Sequence, residues 1–211
     1  MGKFTLETKL RTVLHTPEFA DFQEYILPDL GLFTKWLAGQ KIYQLEKLWP
    51  SKPIVDGFNY LYDVVLHFPH MFHRVATAES VKHDATLKAR VLFHFPANKR
   101  APVIFLCAGG GYHGVCSFVE AFPVAKRINE LGFHAIVVNY RTGKQARFPN
   151  PVDDLAACIS YVLEHADTMN VDMTYYAVAG FSAGGHLTGC FATEILGYAR
   201  YGLQRLSLIH I

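Results

Sequence analysis

A short apolar run, Tyr175 to Ala179, leads into Gly180-Phe181-Ser182-Ala183-Gly184-Gly185, and a run of helical character, His186 to Leu196, follows at once. Strand, Gly-x-Ser-x-Gly, helix is the context that a nucleophile elbow requires. The geometry of such a turn accounts for the glycines. The serine must sit on a sharp, strained bend so that its hydroxyl stands clear of the sheet. A side chain at Gly180 or Gly184 would clash across that bend. A helix starting directly under the serine aims its free N–H groups at developing negative charge. Taken alone, the same pattern also fits a glycine-rich turn that carries a surface serine.

The remaining composition limits the alternatives. A chain of 211 residues is enough for one domain, and with half its residues hydrophobic and 14% aromatic it can bury a sizeable core. Disorder is therefore not expected. A formal charge of +2 argues against a dedicated nucleic-acid or membrane-surface protein. The 11 histidines are scattered, and His70-x-x-His73 is the nearest approach to metal-ligand spacing, without a further ligand cluster. Cys107, Cys116, Cys158 and Cys190 form no Cys-x-x-Cys pair and read as buried thiols. Met1 to Leu10 has no continuous apolar stretch, and position 6 is Leu rather than the Ser or Thr of a myristoylation signal. No run is long enough to span a membrane. The expectation is a soluble, cytoplasmic protein.

Residues 1 to about 70 read as helices. Leu6, Leu10, Val13 and Leu14 share one helical face, and Thr16-Pro17 starts a second short helix. Leu30 to Leu48 is a third, broken by Gly39, and Asp56 begins a fourth. This block is either a lid over a substrate site or a packed extension. From about residue 71 the pattern changes. Phe72–Ala78 and Ala89–Phe95 read as an antiparallel pair of strands, and Val103–Cys107 as a buried strand. A helix from about Phe118 to Leu131 follows, with Ser117 and Glu120 at capping-box spacing and Pro123 awkwardly inside it. Phe133–Val138 is the next strand. Asn150, Pro151 and Asp153 give a helix start, with Asp153 and Asp154 explained by capping and the helix dipole. Strands alternating with helices imply an α/β fold with a mostly parallel sheet covered on both faces.

A second motif, Ala108-Gly109-Gly110-Gly111-Tyr112, follows the strand ending at Cys107. A phosphate-binding loop would need a helix opening at once and an acidic residue ending the next strand, where Asn139 stands instead. The better reading is an oxyanion loop. A hydrolytic serine needs donors for the alkoxide of its tetrahedral intermediate. One comes from the residue after it, Ala183, and others from the glycine loop of an earlier strand.

In order along the chain stand Ala108-Gly-Gly-Gly-Tyr112, Ser117-x-x-Glu120-x-x-Pro123-x-Ala125, Asn139-Tyr140-Arg141, Pro151-x-Asp153-Asp154-Leu155 and Gly180-Phe-Ser-Ala-Gly-Gly-His-Leu187. This series resembles the α/β-hydrolase esterases, in particular the bacterial feruloyl/acetyl-xylan esterase-like branch related to the hormone-sensitive-lipase type. It covers roughly residues 85 to 200. The resemblance implies Ser182 as nucleophile and Ala183 with Gly110 and Gly111 as backbone oxyanion donors. It implies hydrolysis of carboxylic esters, including acyl groups on carbohydrates, with no cofactor and no metal. Ala108 replaces the usual His of the His-Gly-Gly-Gly motif. His186, on the helix leading away from Ser182, is expected to play a surface or packing role. Tyr112 is a candidate for the acyl pocket, and Arg141 for tying loops together.

The triad order of this fold is Ser, acid, His. After Ser182 stand only Glu194, read as lying about three turns along the same helix, and His186 and His210. Leu206-Ser207-Leu208-Ile209-His210-Ile211 is similar to the translation of a transposon end used in DNA-sequencing libraries, so residues 206–211 are expected to be a foreign tail. The acid and base are then expected beyond this chain, and the strand before Ser182 is expected to be an unpaired edge. These 211 residues alone are expected to lack triad-dependent activity. The division expected is a helical extension or lid over 1–70, an incomplete α/β-hydrolase core over 71–205 and the tail. The function classes left open are a serine esterase acting on a small-molecule or carbohydrate ester, a peptidase of the same fold, and a non-catalytic module of that fold.

Overall fold

A computed structural model describes residues 2–203 and the backbone of 207–210. Its described strands form one sheet in the order β1-β2-β4-β3-β5-β6. The chain begins with α1 (Leu10–Leu14), α2 (Leu32–Gly39) and α3 (Ser51–His67), joined by short 3₁₀ turns. Then come β1 (Phe72–Arg74), α4 (Ala78–His83), β2 (Val91–Phe95), β3 (Ala101–Cys107), α5 (Ser117–Glu120) and α6 (Phe122–Glu130). The rest is β4 (His134–Asn139), α7 (Asn150–Glu164), β5 (Val171–Gly180), α8 (Ala183–Phe191) and β6 (Ser207–His210). Strands β1 and β2 pair antiparallel, as the sequence suggested, and β2 pairs antiparallel with β4. Strands β4, β3, β5 and β6 run parallel. The path from β3 to β4 steps one way, and the path from β4 to β5 steps back across β3. With right-handed crossovers this reversal puts the connecting helices on opposite faces. Accordingly α6 packs on β2 and β4 beside α3, while α7 packs on β4 and β5 beside α8.

Several local expectations are corrected. Helix α3 starts at Ser51 rather than Asp56, because the Glu46 carboxylate accepts from the Ser51 N–H and hydroxyl and fixes the chain there. The expected Phe118–Leu131 helix is two helices, with Pro123 in the first turn of the second, where its missing N–H costs nothing. The Ser117/Glu120 capping box does not form; the residue before α5 is Cys116, with no side-chain cap. Helix α8 ends at Phe191, so Glu194 lies in the turn beyond it and not three helical turns along. Strand β5 is not an edge, since Ala177–Gly180 pairs with Ser207–His210. Leu206 and Ile211, the ends of the expected tail, lie outside the described residues.

The N-terminal block shares the sheet's core. Phe19, Phe22, Phe58 and Leu61 are buried in one apolar cluster with Phe93, Phe105 and Phe118. The Phe58 and Phe118 rings stack, and Phe22 meets Phe93 edge-on. Helix α3 approaches α6 so closely that a Cβ on Gly57 would stand 3.0 Å from Pro123. The Asn59 side chain holds both the N–H and the carbonyl of Phe4, sealing the start of the chain onto α3.

Asp154 is fully buried on α7, and capping does not explain it. Its carboxylate accepts from Arg90 Nε, from the Arg141 backbone N–H at 2.8 Å and from the Arg141 guanidinium. Arg141 also donates to the Asn150 carbonyl, so it does tie loops together. Removing one partner of a buried pair strands the other charges in low dielectric. Asp154→Ala is therefore expected to destabilise the fold by about 3–5 kcal/mol, measured by urea denaturation; a change within error would refute this role.

At the opposite end of the sheet from Ser182, two histidine rings face each other. His134 Nε2 lies 3.1 Å from the Lys99 carbonyl, which can only accept, so that nitrogen carries the proton. His134 Nδ1 then accepts from the Ala97 N–H and, at 3.0 Å, from His94 Nε2–H. Burial, with His134 and His73 adding repulsion, pushes His94 down to about 3. Burial also lowers His134 and His73. The unfolded chain takes up protons at these positions near the ordinary histidine value of about 6.5, and the folded chain does not. Stability present above that value is thus lost as pH falls below it. The melting temperature is expected to drop from pH 7.5 to pH 5, and His94→Gln to flatten that dependence. A wild-type melting temperature that stays level over this range would overturn the assignment.

Candidate active site

The turn after β5 is as tight as its glycines suggest. Ser182 sits at φ +50°, ψ −121°, a conformation that costs a non-glycine residue about 1–3 kcal/mol. It persists because the surroundings leave no room to relax. A Cβ on Gly180 would fall 2.2 Å from the Gly184 carbonyl oxygen, and one on Gly184 would fall 2.0 Å from that of Cys107. The Phe181 N–H donates to the Cys107 carbonyl at 3.0 Å, and Thr188 Oγ1 donates to the Gly184 carbonyl at 2.9 Å. Ser182 is exposed, and Ala183 is the first residue of α8, so the Ala183 N–H has no acceptor within the helix.

The glycine loop at the end of β3 touches this turn. A Cβ on Gly109 would stand 2.7 Å from Ser182 Cβ and 3.1 Å from the Ala183 nitrogen. Gly110 at φ +132° and Gly111 at φ +61° take backbone conformations that favour glycine, and Tyr112 follows at φ +60°. Among the described residues the N–H groups of Gly110 and Gly111 donate to nothing, whereas that of Gly109 is taken by the Glu120 carboxylate. Tyr140 donates its hydroxyl to the Ala108 carbonyl at 2.6 Å, and the Gly143 N–H donates to the Tyr112 carbonyl. Burial drives the Tyr140 phenol well above its usual value, so it stays a donor.

The sequence reading missed Glu120 and Tyr140 as anchors of this loop. The spacing of Glu120 offered a local cap, and nothing in the sequence pointed across the loop.

Tyr112 and His186 bridge the two segments. The Tyr112 hydroxyl lies 2.9 Å from His186 Nδ1, and the rings meet edge-on. Burial pushes the Tyr112 phenol up to about 12, so it stays protonated and shares a hydrogen bond with His186. His186 also lies 3.8 Å from Cys190 Sγ. It shares a cleft of about 500 Å³ with Ser182, Gly189, Thr193 and Leu196. Among the described residues no histidine hydrogen-bonds to Ser182, and no group of three or more His, Cys, Asp or Glu could hold a metal; His70 and His73 are not brought into one.

A strained serine between the glycines of a strand-to-helix turn, set against a second glycine loop with free N–H groups, is the architecture of one fold family. Residues 93–195, a little under half of the chain, match the BD-FAE family model and contain both segments. This part of the chain is similar to the α/β-hydrolase esterases. Over 90 residues the chain is 30% identical to the esterase LipC of Mycobacterium tuberculosis, covering 43% of this chain and 22% of that protein. Over 106 residues it is 31% identical to the acetylxylan esterase of Xylanibacter ruminicola, covering 50% and 22%. Among solved structures it is similar to MGS-M1, an α/β-hydrolase enzyme from a deep-sea metagenome library. There the identity is 30%, the coverage 55% of this chain and 48% of that one, and the TM-score 0.48. The chain spans about a fifth of the length of the two curated relatives.

The close approach of Gly184 to the end of β3 makes a stability prediction. Gly184→Ala forces the elbow off β3 and is expected to cost at least about 1–3 kcal/mol, read as a lower urea midpoint. An unchanged midpoint would show that the turn can open without penalty.

Proposed function

We propose that the protein is a serine hydrolase of carboxylic esters, with Ser182 as nucleophile. The observation that carries this is the strained backbone of Ser182, held against a glycine loop with unpaired N–H groups. Strain of this kind is kept where function requires it. In the proposed reaction Ser182 Oγ bonds to the ester carbonyl carbon while its proton passes to a base. The carbonyl electron pair moves onto oxygen, where the N–H groups of Ala183 and of Gly110 or Gly111 receive it. The pair returns, the bond to the leaving alcohol breaks, and the alcohol takes the proton. Water then releases the acyl group by the same steps. The base is a histidine in this chemistry, and His186, engaged by Tyr112, is not proposed for it.

The substrate proposed is an acyl ester on a carbohydrate such as acetylated xylan. A relative is named an acetylxylan esterase, and the cleft beside Ser182 is open. A second reading, a non-catalytic module of the same fold, draws on the lack of a histidine bonded to Ser182 among the described residues.

Because the chain is short against its relatives, the test uses the full product of the gene. A fluorophosphonate probe is expected to label Ser182, and Ser182→Ala to abolish both labelling and hydrolysis of p-nitrophenyl acetate. Gly111→Ala, at φ +61°, is expected to lower kcat by about 10²–10³ if it misplaces one oxyanion donor. A product that neither reacts with the probe nor hydrolyses the ester would favour the non-catalytic module.

A further inference from the structure

Helix α8 brings a thiol to the Ser182 cleft. Cys190 lies about two turns along the helix from the elbow, ~12 Å by the helical rise. It lines the cleft together with Ser182, Gly189 and Thr193. Cys107, Cys116 and Cys158 are buried, whereas Cys190 is half-buried. Burial pushes the Cys107 thiol up to about 12 and the Cys116 thiol up to about 11, and it raises Cys158 well above the ordinary range. Those three thiols are inert packing groups.

Cys190 has a base beside it. His186 precedes it by one helical turn, so the two side chains share a face of α8. Cys190 Sγ lies 3.8 Å from His186 Nε2. Helical spacing alone would bring these two together. The independent observation is Tyr112, which reaches the same ring from the glycine loop, its hydroxyl 2.9 Å from Nδ1. A hydroxyl oxygen accepts as well as donates. With Nδ1–H donating to Tyr112, Nε2 is free to take the thiol proton. A nucleophile next to a base, with the base oriented by a third group from another segment, is the constellation of an activated nucleophile.

The cleft limits what this thiol meets. Among the described residues its lining holds no carboxylate, and His186 becomes a cation once it takes the proton. Both features favour a small reagent that carries negative charge. We propose that Cys190 is a thiol-modification site, with His186 as its base and Tyr112 positioning that base, and that it forms a mixed disulfide with a small anionic disulfide such as glutathione disulfide. The Cys190 sulfur bonds to one sulfur of the disulfide while its proton passes to His186 Nε2. The S–S bond of the reagent breaks, and the departing thiolate takes the proton from His186. Cys190 is oxidised and the departing half is reduced to a thiol. The adduct stands in the cleft that Ser182 opens into. No part of this step uses Ser182, so it is independent of the ester-hydrolase reading.

The test is time-resolved intact-mass spectrometry of the 211-residue chain with glutathione disulfide, followed by peptide mapping of the adduct. A single adduct on Cys190 is expected, forming at least about tenfold faster than on the same chain unfolded in urea. Cys190→Ser is expected to form none. His186→Ala is expected to lose the advantage, and added imidazole to restore it in that variant without accelerating wild type. A packing role for His186 would not respond to imidazole. Tyr112→Phe, which keeps the ring, is expected to slow the reaction about threefold or more, and it keeps the test decisive if His186→Ala unfolds. The buried thiols report on folding, because an unfolded variant takes up adducts at Cys107, Cys116 and Cys158 as well. The proposal is overturned by a wild type no faster than the unfolded chain, by an adduct on another cysteine of the folded chain, or by a folded His186→Ala or Tyr112→Phe as fast as wild type.

Discussion

The contact between the ends of β3 and β5 governs the architecture around Ser182. Two glycines, at 109 and 184, remove the side chains that would hold these ends apart, and a third, at 180, lets the elbow fold back on the start of α8. The Phe181 N–H then reaches the Cys107 carbonyl, and the loop and the elbow become neighbours. Each segment is strained alone, with Ser182 and Tyr112 both at positive φ. Together they are held by Glu120, Tyr140 and the Tyr112–His186 bond. Donors fixed before any charge develops need no reorganisation when it does, which is the property an oxyanion site depends on.

Much of this was legible in the sequence, for reasons that differ by residue. The glycines were legible because a sharp strand-to-helix turn excludes a Cβ whatever the rest of the fold. The α/β architecture was legible because apolar strand runs alternate with helical periods. Glu120 and Asp154 were not. Ser117 and Glu120 have a spacing that satisfies a local cap, and Asp154 follows a helix-start signal and an acid of the first turn, so each had a sufficient short-range explanation. Their actual partners, the Gly109 amide and two arginines, are brought to them only by the closed sheet.

The N-terminal block shows a related limit. Its aromatic stripes were read as core, and Phe19, Phe22 and Phe58 are buried in the same cluster as the sheet. Periodicity reports which side of a helix is apolar but not which surface it covers. Here one part of the block seals α6 while another, at Pro28, abuts Gly114 of the segment that follows β3.

The neutral histidine pair between β2 and β4 bears on how any rate measured for this protein is interpreted. His94 and His134 titrate against the fold, at the far end of the sheet from Ser182. Activity lost on acidification would combine protonation of the base that serves the nucleophile with a shrinking population of folded molecules. The acid limb of a pH–rate profile would then be steeper than a single ionisation allows, and its midpoint would drift with temperature as the folded fraction does. Only rates corrected for that fraction would report the chemistry at Ser182.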